Sequence, residues 1–187
     1  TTITITGDAT VGAIFTEDEY TLTFNTTGSG NIQATPAGPY SYNQTVSIEA
    51  QPSPGWSFSD WSGGLAGSPN PTTITITGDA TVGASFTEEE YTLTLTNVGS
   101  GTSSASPTGP YGYNDAITLT ATPDAGNSFT GWTDDFTSTD NPATFNITGN
   151  SSVQANFAED EYTLTFNTTG SGNIQATPAG PYTYNQT

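Results

Sequence analysis

The sequence has no lysine, no arginine and no histidine among its 187 residues, but it has 18 aspartates and glutamates. A chain without cations cannot neutralise phosphate groups, so nucleic acid is excluded as a direct partner. Attraction to an anionic membrane surface is excluded for the same reason. The formal net charge of −18 also means that no carboxylate can pair with a basic side chain of its own chain.

Cysteine is absent as well, so the chain has no disulfide, no thiol nucleophile and no zinc-binding thiolate. Without His, Cys, Lys or Arg, most general-base and nucleophilic mechanisms lack their reacting groups. A glycosidase with two carboxylates stays chemically open, but the isolated acids Glu49, Asp60 and Asp115 form no recurring pair. We therefore expect that the chain is not an enzyme. No apolar run approaches the ~20 residues of a membrane helix, and we expect no direct membrane insertion by this segment.

One sequence unit recurs at a constant interval along the whole chain. The string YTLT begins at Tyr20, Tyr91 and Tyr162, and the two full units align without a gap. Residues 162–187 repeat residues 20–45 with one difference, Thr183 in place of Ser41. The chain thus divides into the C-terminal part of a truncated repeat (1–19), two complete repeats (20–90 and 91–161) and the N-terminal part of a truncated repeat (162–187).

Within a repeat, apolar residues alternate with polar ones, which is typical of strands with one buried and one exposed face. Turn sequences such as GSGN at 28–31 and PSPG at 52–55 separate these segments. The pattern predicts an all-β fold of tandem small antiparallel modules with about six short strands each, arranged as a rod. In the first complete repeat the predicted strands lie at Tyr20–Phe24, Ile32–Thr35, Val46–Ala50, Trp56–Trp61, Ile74–Ile76 and Val82–Phe86.

The second complete repeat keeps nearly the same set of inward-facing positions with different residues. Ile117, Leu119 and Ala121 stand where the first repeat has its third strand. One strand loses its large residue, because Ser103 stands where Ile32 stood.

Each repeat carries its motifs in one order: YTLT, GSG, then GWSFSDWSG, and finally NPTTITITGDATVGASF in the first repeat. This order resembles the divergent internalin-type B-repeat family of bacterial and archaeal surface proteins. Gly55, Phe58, Trp61 and Gly63 fit the aromatic segment of that family, whereas the second repeat has Asp134 in place of the closing glycine. The resemblance covers the whole chain and implies a secreted or cell-surface module used in tandem, with no catalytic residues to carry over.

Nine of the 18 carboxylates lie in three triplets at the ends of repeats, the first of them being Glu17–Glu19. Calcium takes about six to eight oxygen ligands and favours clustered carboxylates, which makes the later triplets a candidate metal site. Against such a site, consecutive strand residues point to opposite faces, and a solvated, self-repelling hinge explains the same residues. We expect no cofactor other than this calcium candidate, whose ligands would come from Glu88, Glu89, Glu90, Glu159, Asp160 and Glu161.

Trp56 differs from the other aromatic residues because its counterpart in the second repeat is Asn127. A position that accepts both residues is expected at the surface, where Trp56, Tyr40 and Tyr42 would form a platform for a sugar or a subunit contact. The alternative is an aromatic loop packed on its own repeat. The tryptophans that recur at one position, and are expected in the core, are Trp61 and Trp132.

Six N-x-[ST] sequons are candidate glycosylation sites, although many would arise by chance in a chain so rich in Asn and Thr. The sequons at Asn25 and Asn167 occupy equivalent positions in two repeats. The full set is Asn25, Asn43, Asn146, Asn150, Asn167 and Asn185.

The favoured interpretation is a structural tandem-repeat segment of an extracellular or cell-surface filament, stalk or sheath, with copies of the chain as partners. The alternative is an adhesin-type binding module that recognises a glycan or a surface partner through its aromatic loops. The truncated ends bear on this choice, because Ile3, Ile5, Val11 and Phe15 lack the rest of their repeat and are expected to fray in isolation. In a filament, neighbouring copies would cover them at strand edges near 1–15 and 162–184.

Overall fold

The alternating segments form strands throughout both complete repeats. The structure is a computed structural model that describes residues 2–186, so Thr1 and Thr187 lie outside the described residues. The first repeat has β1 (Leu22–Thr27), β2 (Gly30–Thr35), β3 (Thr45–Pro52), β4 (Trp56–Gly63), β5 (Thr72–Thr75) and β6 (Ala80–Glu88). The second has β7 (Leu93–Val98), β8 (Gly101–Ser106), β9 (Ala116–Pro123), β10 (Asn127–Asp134), β11 (Ala143–Asn146) and β12 (Ser151–Glu159). The all-β prediction with six strands per repeat is confirmed.

Each complete repeat consists of two three-stranded sheets. In the first repeat the strand orders are β1-β6-β4 and β2-β3-β5, and the second repeat has the same orders in β7-β12-β10 and β8-β9-β11. The central strands bury their inward residues most completely, because both of their neighbours shield them. Residues of β3 and β6 belong to one buried cluster, which places the core between the two sheets.

Strand direction differs from the sequence expectation in one pair per repeat. The first and last strands pair in parallel, with Leu22 opposite Ala80 in the first repeat and Leu93 opposite Ser151 in the second. The expectation of purely antiparallel modules is wrong for these pairs. The reason is that side chains alternate in the same way in parallel and antiparallel strands, so the alternation carries no information on direction.

The two recurring tryptophans lie in the cores, as expected. Trp61 and Trp132 are each 1 % exposed, and each indole Nε1–H donates to a backbone carbonyl, at 3.1 Å to Pro69 and 3.0 Å to Asp140. The ring centroid of each indole also lies 5.1 Å from that of the phenylalanine three residues earlier in the strand. Residues three apart in a regular strand face opposite sides, so this contact requires an irregularity. In β10 the register shift between Phe129 and Gly131 provides it.

The truncated repeats at the two ends contain no strand among their described residues. In residues 2–19 the large apolar side chains are exposed, as expected for a fragment without its core: Ile3, Ile5, Val11, Ile14 and Phe15. In residues 162–186 the backbones of Tyr162 and Tyr182 pair in an isolated antiparallel β-bridge. Neither fragment therefore forms the strands that the same sequence forms within a complete repeat.

The chain divides into two compact units between Thr87 and Glu88. No helix in residues 2–186 is long and apolar enough to cross a membrane.

Candidate interaction surface

Of the predicted aromatic platform, Tyr40 is buried and Tyr42 is exposed. Tyr40 is 4 % exposed, and its backbone exchanges hydrogen bonds of 2.8 and 2.9 Å with Tyr20. Tyr42 is 58 % exposed, and its ring centroid lies 6.3 Å from that of Tyr20. Tyr40 is therefore a core residue, and its assignment to a sugar-stacking surface is wrong.

Trp56 lies at the other end of the repeat. It is half-buried and packs on the first core, beside Gly28, where an added Cβ would lie 2.7 Å from the indole Cζ3. Gly28 follows β1, whereas Tyr20 and Tyr42 lie near its start, and a strand of this length spans about 20 Å. The three residues therefore do not form one platform. The loop packs on its own repeat instead.

A pair of asparagines makes the same contacts in both repeats and was not identified from the sequence. Asn70 Nδ2 donates to the Ala50 carbonyl and Asn70 Oδ1 accepts from the Ala50 amide, both at 2.9 Å. Asn141 forms the same two bonds with Ala121, at 2.7 and 2.9 Å. The side-chain amide acts as one further residue of the edge strand and satisfies the backbone of the central strand. The signal in the sequence was the recurring Asn-Pro dipeptide.

A second recurring contact ties the first strand to the turn before the last strand. The Thr21 amide and hydroxyl both donate to Asp79 Oδ1, at 2.7 and 3.0 Å. Thr92 donates in the same way to Asn150 Oδ1, at 2.9 and 3.1 Å. Since Asp serves here as well as Asn, the position requires a side-chain oxygen. The sequon at Asn150 therefore has a structural explanation.

The other sequons lie at the surface in different settings. Asn146 is less available, because its Nδ2 donates to the Asn114 carbonyl and to Asn114 Oδ1, each at 3.1 Å. Asn25 lies on the outward face of the edge strand β1, opposite Gly83. Glycosylation stays a prediction for all six exposed asparagines: Asn25, Asn43, Asn146, Asn150, Asn167 and Asn185.

The acidic triplets bind tyrosines of the following YTLT motif. Tyr91 Oη donates to Glu89 Oε2 at 2.9 Å, and this hydrogen bond, with burial and the charge of Glu89, raises the pKa of Tyr91. Tyr162 Oη lies 3.4 Å from Asp160 Oδ2, and burial first, then the charge of Asp160, raises the pKa of Tyr162. The middle residue of each of these triplets thus has a defined partner.

The structure does not gather the six predicted calcium ligands into one site. In residues 2–186 no group of three or more His, Cys, Asp or Glu side chains is arranged to hold a metal ion. Glu88 and Glu159 are the last residues of β6 and β12, and the two triplets lie at different repeat ends. Calcium binding by Glu88, Glu89, Glu90, Glu159, Asp160 and Glu161 stays a prediction that needs a direct test.

A groove that the sequence did not indicate opens between β1 and β2. It has a volume of about 430 Å³ and is lined by Leu22, Phe24, Ala34, Pro39 and Tyr40, among others. Residues 163–182 form an equivalent groove of about 550 Å³ from the matching positions. The groove lies where the two sheets separate at their edge strands.

The comparisons with known proteins concern the repeats. A family model described as the divergent InlB B-repeat domain matches the chain twice, over residues 20–90 and 91–161. No curated protein and no solved structure matches the chain. Repeats of this kind are typical of cell-surface and extracellular proteins. Since the two matches cover more than half of the sequence, the chain belongs to the divergent InlB B-repeat domain family.

Proposed function

We propose that the chain is a structural spacer, a tandem-repeat segment of an extracellular filament, stalk or sheath, and that it has no catalytic activity. Each repeat would add one folded unit of fixed length, and copies of the chain would be its main partners. The chain would lie outside the cell or on its surface, as is typical of its family.

The observation that carries this proposal is that the side-chain contacts shared by both repeats all serve to close the fold. The buried indoles bind backbone carbonyls, Asn70 and Asn141 bind central strands, and Thr21 and Thr92 bind the turn before the last strand. A binding module would be expected to repeat its whole set of exposed contact residues. The exposed tyrosines Tyr42 and Tyr113 do recur, but the half-buried Trp56 is replaced by Asn127 in the second repeat. Conservation of the bonds that close the fold, with only part of the surface repeated, supports a spacer.

Small-angle X-ray scattering tests the proposal on the full chain and on chains with one or two further copies of residues 91–161 inserted after Glu161. A spacer predicts that each copy increases the maximum dimension by the same amount. A chain with an insertion of equal length made of Gly and Ser is the control, because a flexible chain lengthens with the square root of residue number. Increments that shrink with each added copy would contradict a spacer function.

The groove between β1 and β2 favours one second candidate, a binding module for an apolar or sugar face. Leu22, Phe24 and Ala34 line it, and the same groove recurs in residues 163–182. A glycan array probed with the labelled chain tests this function. Binding that is lost when both grooves are altered, in the double variant Ala37→Glu, Ala179→Glu, and kept in Ala66→Glu, an exposed residue away from them, would support the binding module. An array without a specific signal would leave the spacer as the explanation.

A further inference from the structure

A turn between β9 and β10 of the second complete repeat lies against the segment that follows this repeat. Residues 124–127 form this turn, which the Asn127 amide closes by donating to the Asp124 carbonyl at 3.0 Å. Gly126 has a φ of +79°, the left-handed conformation that glycine adopts without strain. A Cβ added to Gly126 would lie 2.6 Å from Tyr184 Cγ, so the tyrosine packs directly on the glycine backbone.

The loop that carries Tyr184 is itself fixed by local bonds. The Thr183 amide donates to Gln186 Oε1 at 2.9 Å, and the Gln186 amide donates to the Thr183 carbonyl at 3.1 Å. Tyr182 exchanges backbone hydrogen bonds of 2.7 and 2.9 Å with Tyr162. The tyrosine therefore approaches the turn from a loop that is already ordered. We call residues 182–186 the tyrosine loop.

Asp160, the middle residue of the acidic triplet, connects the turn to Tyr162, whose backbone pairs with Tyr182 of the tyrosine loop. Its amide donates to the Gly126 carbonyl at 2.8 Å. One side-chain oxygen accepts from the Ser128 hydroxyl, and the other lies 3.4 Å from Tyr162 Oη. The carboxylate thus binds one group on each side of the connection, and both of its oxygens have partners without a cation.

We propose that this arrangement is a docking joint between consecutive repeats. The turn 124–127 of a complete repeat receives the tyrosine loop of the next repeat, and the middle carboxylate of the triplet holds the connecting segment in place. The joint goes beyond the proposed spacer function, because it would operate equally in a binding module. It assigns the acidic triplet a role as a connection of defined geometry, in place of the free hinge that its charge suggests.

Glycine and tyrosine suit the two sides of the joint for physical reasons. The absence of a side chain on Gly126 lets the ring of Tyr184 cover backbone, and a tyrosine loses little conformational entropy for the area that it buries. At 50 % exposure Tyr184 keeps half of its surface in water, as an amphipathic ring does at an interface.

Nuclear magnetic resonance on the isotope-labelled full chain tests the joint directly. We expect a nuclear Overhauser effect between the Gly126 Hα and Tyr184 Hβ protons. We also expect protection of the Asp160 amide from hydrogen exchange, and Tyr184→Ser should reduce this protection roughly fivefold. Tyr42→Ser is the matched control, because Tyr42 occupies the same position in the first complete repeat. It should leave Asp160 protection unchanged.

A double-mutant cycle separates docking from the backbone strain of alanine at a positive φ. Gly126→Ala should reduce Asp160 protection in the parent chain and have a smaller effect in the Tyr184→Ser background. Absence of the Overhauser effect, equal protection in Tyr184→Ser and Tyr42→Ser, or fully additive effects in the cycle would each overturn the joint.

Discussion

The first and second complete repeats differ at more than half of their aligned positions, yet every strand has the same length in both. Their cores differ mainly in the sheet that contains β5 or β11. On one edge strand, Ser103 of the second repeat replaces Ile32 of the first. On the other side, Phe136 and Phe145 replace Leu65 and Ile74. The two phenylalanine rings stack with centroids 5.0 Å apart, so apolar volume lost on one edge of the sheet is gained on the other.

The polar contacts behave differently from the apolar ones in this comparison. Apolar side chains become smaller on one edge of the sheet and larger on the other. The hydrogen bonds of the indoles, asparagines and threonines, in contrast, join the same atoms in both repeats. A core accepts changes that conserve total volume, whereas a directional bond to the backbone does not accept a different atom in its place. The fold is therefore held in register by a few directed bonds around an adaptable core.

The largest effect is expected from loss of the asparagine contact. Asn70→Ala and Asn141→Ala each remove two hydrogen bonds to a central strand, and each should lower the free energy of unfolding by about 2 kcal/mol. Urea denaturation followed by circular dichroism measures the loss. Asn31→Ala, at an exposed residue of β2, is the control and should change stability by less than about 0.5 kcal/mol. Equal effects of Asn70→Ala and Asn31→Ala would contradict the structural role of the asparagines.

The second effect concerns a backbone position at which the repeats differ. Gly63 has a φ of +69° and the equivalent Asp134 has a φ of +76°, so the second repeat places a side chain in the left-handed region. Asp134→Gly should stabilise the second repeat by about 1 kcal/mol, which its thermal unfolding would show. Asp134→Gly without any gain in stability would contradict strain at this position.

The reverse substitution, of Gly63 by Asp, tests the steric fit at this position in the first repeat. Gly63→Asp should destabilise the first repeat by more than the backbone cost alone, because an added Cβ would meet the Thr81 carbonyl. Gly67→Asp is the matched control, since Gly67 has a φ of +76° and open space around it. If both substitutions cost the same, the steric contribution at Gly63 is absent.

The sequence predicted the strands well because alternation is a local property, set by burial on one face. It did not predict the parallel pairing of β1 with β6, since that depends on a partner at the far end of the repeat. The bulge in β10 was accessible in principle, because an F-x-x-W spacing cannot place both rings on one face of a regular strand. Asn70 and Asn141 each precede a proline and so form no N-x-[ST] sequon, although both recur at the same place in the two repeats. Their recurrence was the missed signal.

Trp56 shows why the candidate site was harder to predict than the fold. Its exchange for Asn127 predicted an exposed residue, but the indole is half-buried because Gly28 has no side chain to displace it. Tyr40 and Tyr42 are neighbours in sequence, yet one is buried and the other exposed. The residue types alone do not predict which of two neighbouring tyrosines is buried and which is exposed.

A smaller effect should separate the tyrosines that begin the repeats. The pKa of Tyr91 is raised above 10.0 mainly by its hydrogen bond to Glu89, whereas burial is the main cause for Tyr162. Glu89→Ala should therefore lower the pKa of Tyr91 by more than Asp160→Ala lowers that of Tyr162. Carbon-13 resonances of the phenol rings, followed from pH 8 to 12, measure both. Equal changes would contradict the assigned causes.

The sign of the pH dependence follows from the same shifts. A phenol whose pKa is higher in the folded chain stabilises the fold at every pH below the unfolded pKa of 10.0, and this contribution is lost as pH rises through the folded pKa. Thermal unfolding should therefore begin at lower temperature above pH 10, and less so in Tyr91→Phe. An unchanged difference between the parent chain and Tyr91→Phe from pH 8 to 11 would exclude this linkage.

The smallest effect is expected from removing divalent cations. Glu89 and Asp160 already accept hydrogen bonds from tyrosines, and no group of three or more acidic side chains in residues 2–186 is arranged to hold a metal ion. We expect the same melting temperature in excess chelator and in millimolar calcium, both for the parent chain and for a chain in which Glu88, Glu90, Glu159 and Glu161 are all replaced by Gln. A calcium site would instead raise the melting temperature of the parent chain with calcium concentration and leave that fourfold variant unaffected. Because the two outcomes differ in slope against calcium, one titration decides whether the triplets bind a metal or act through their tyrosines alone.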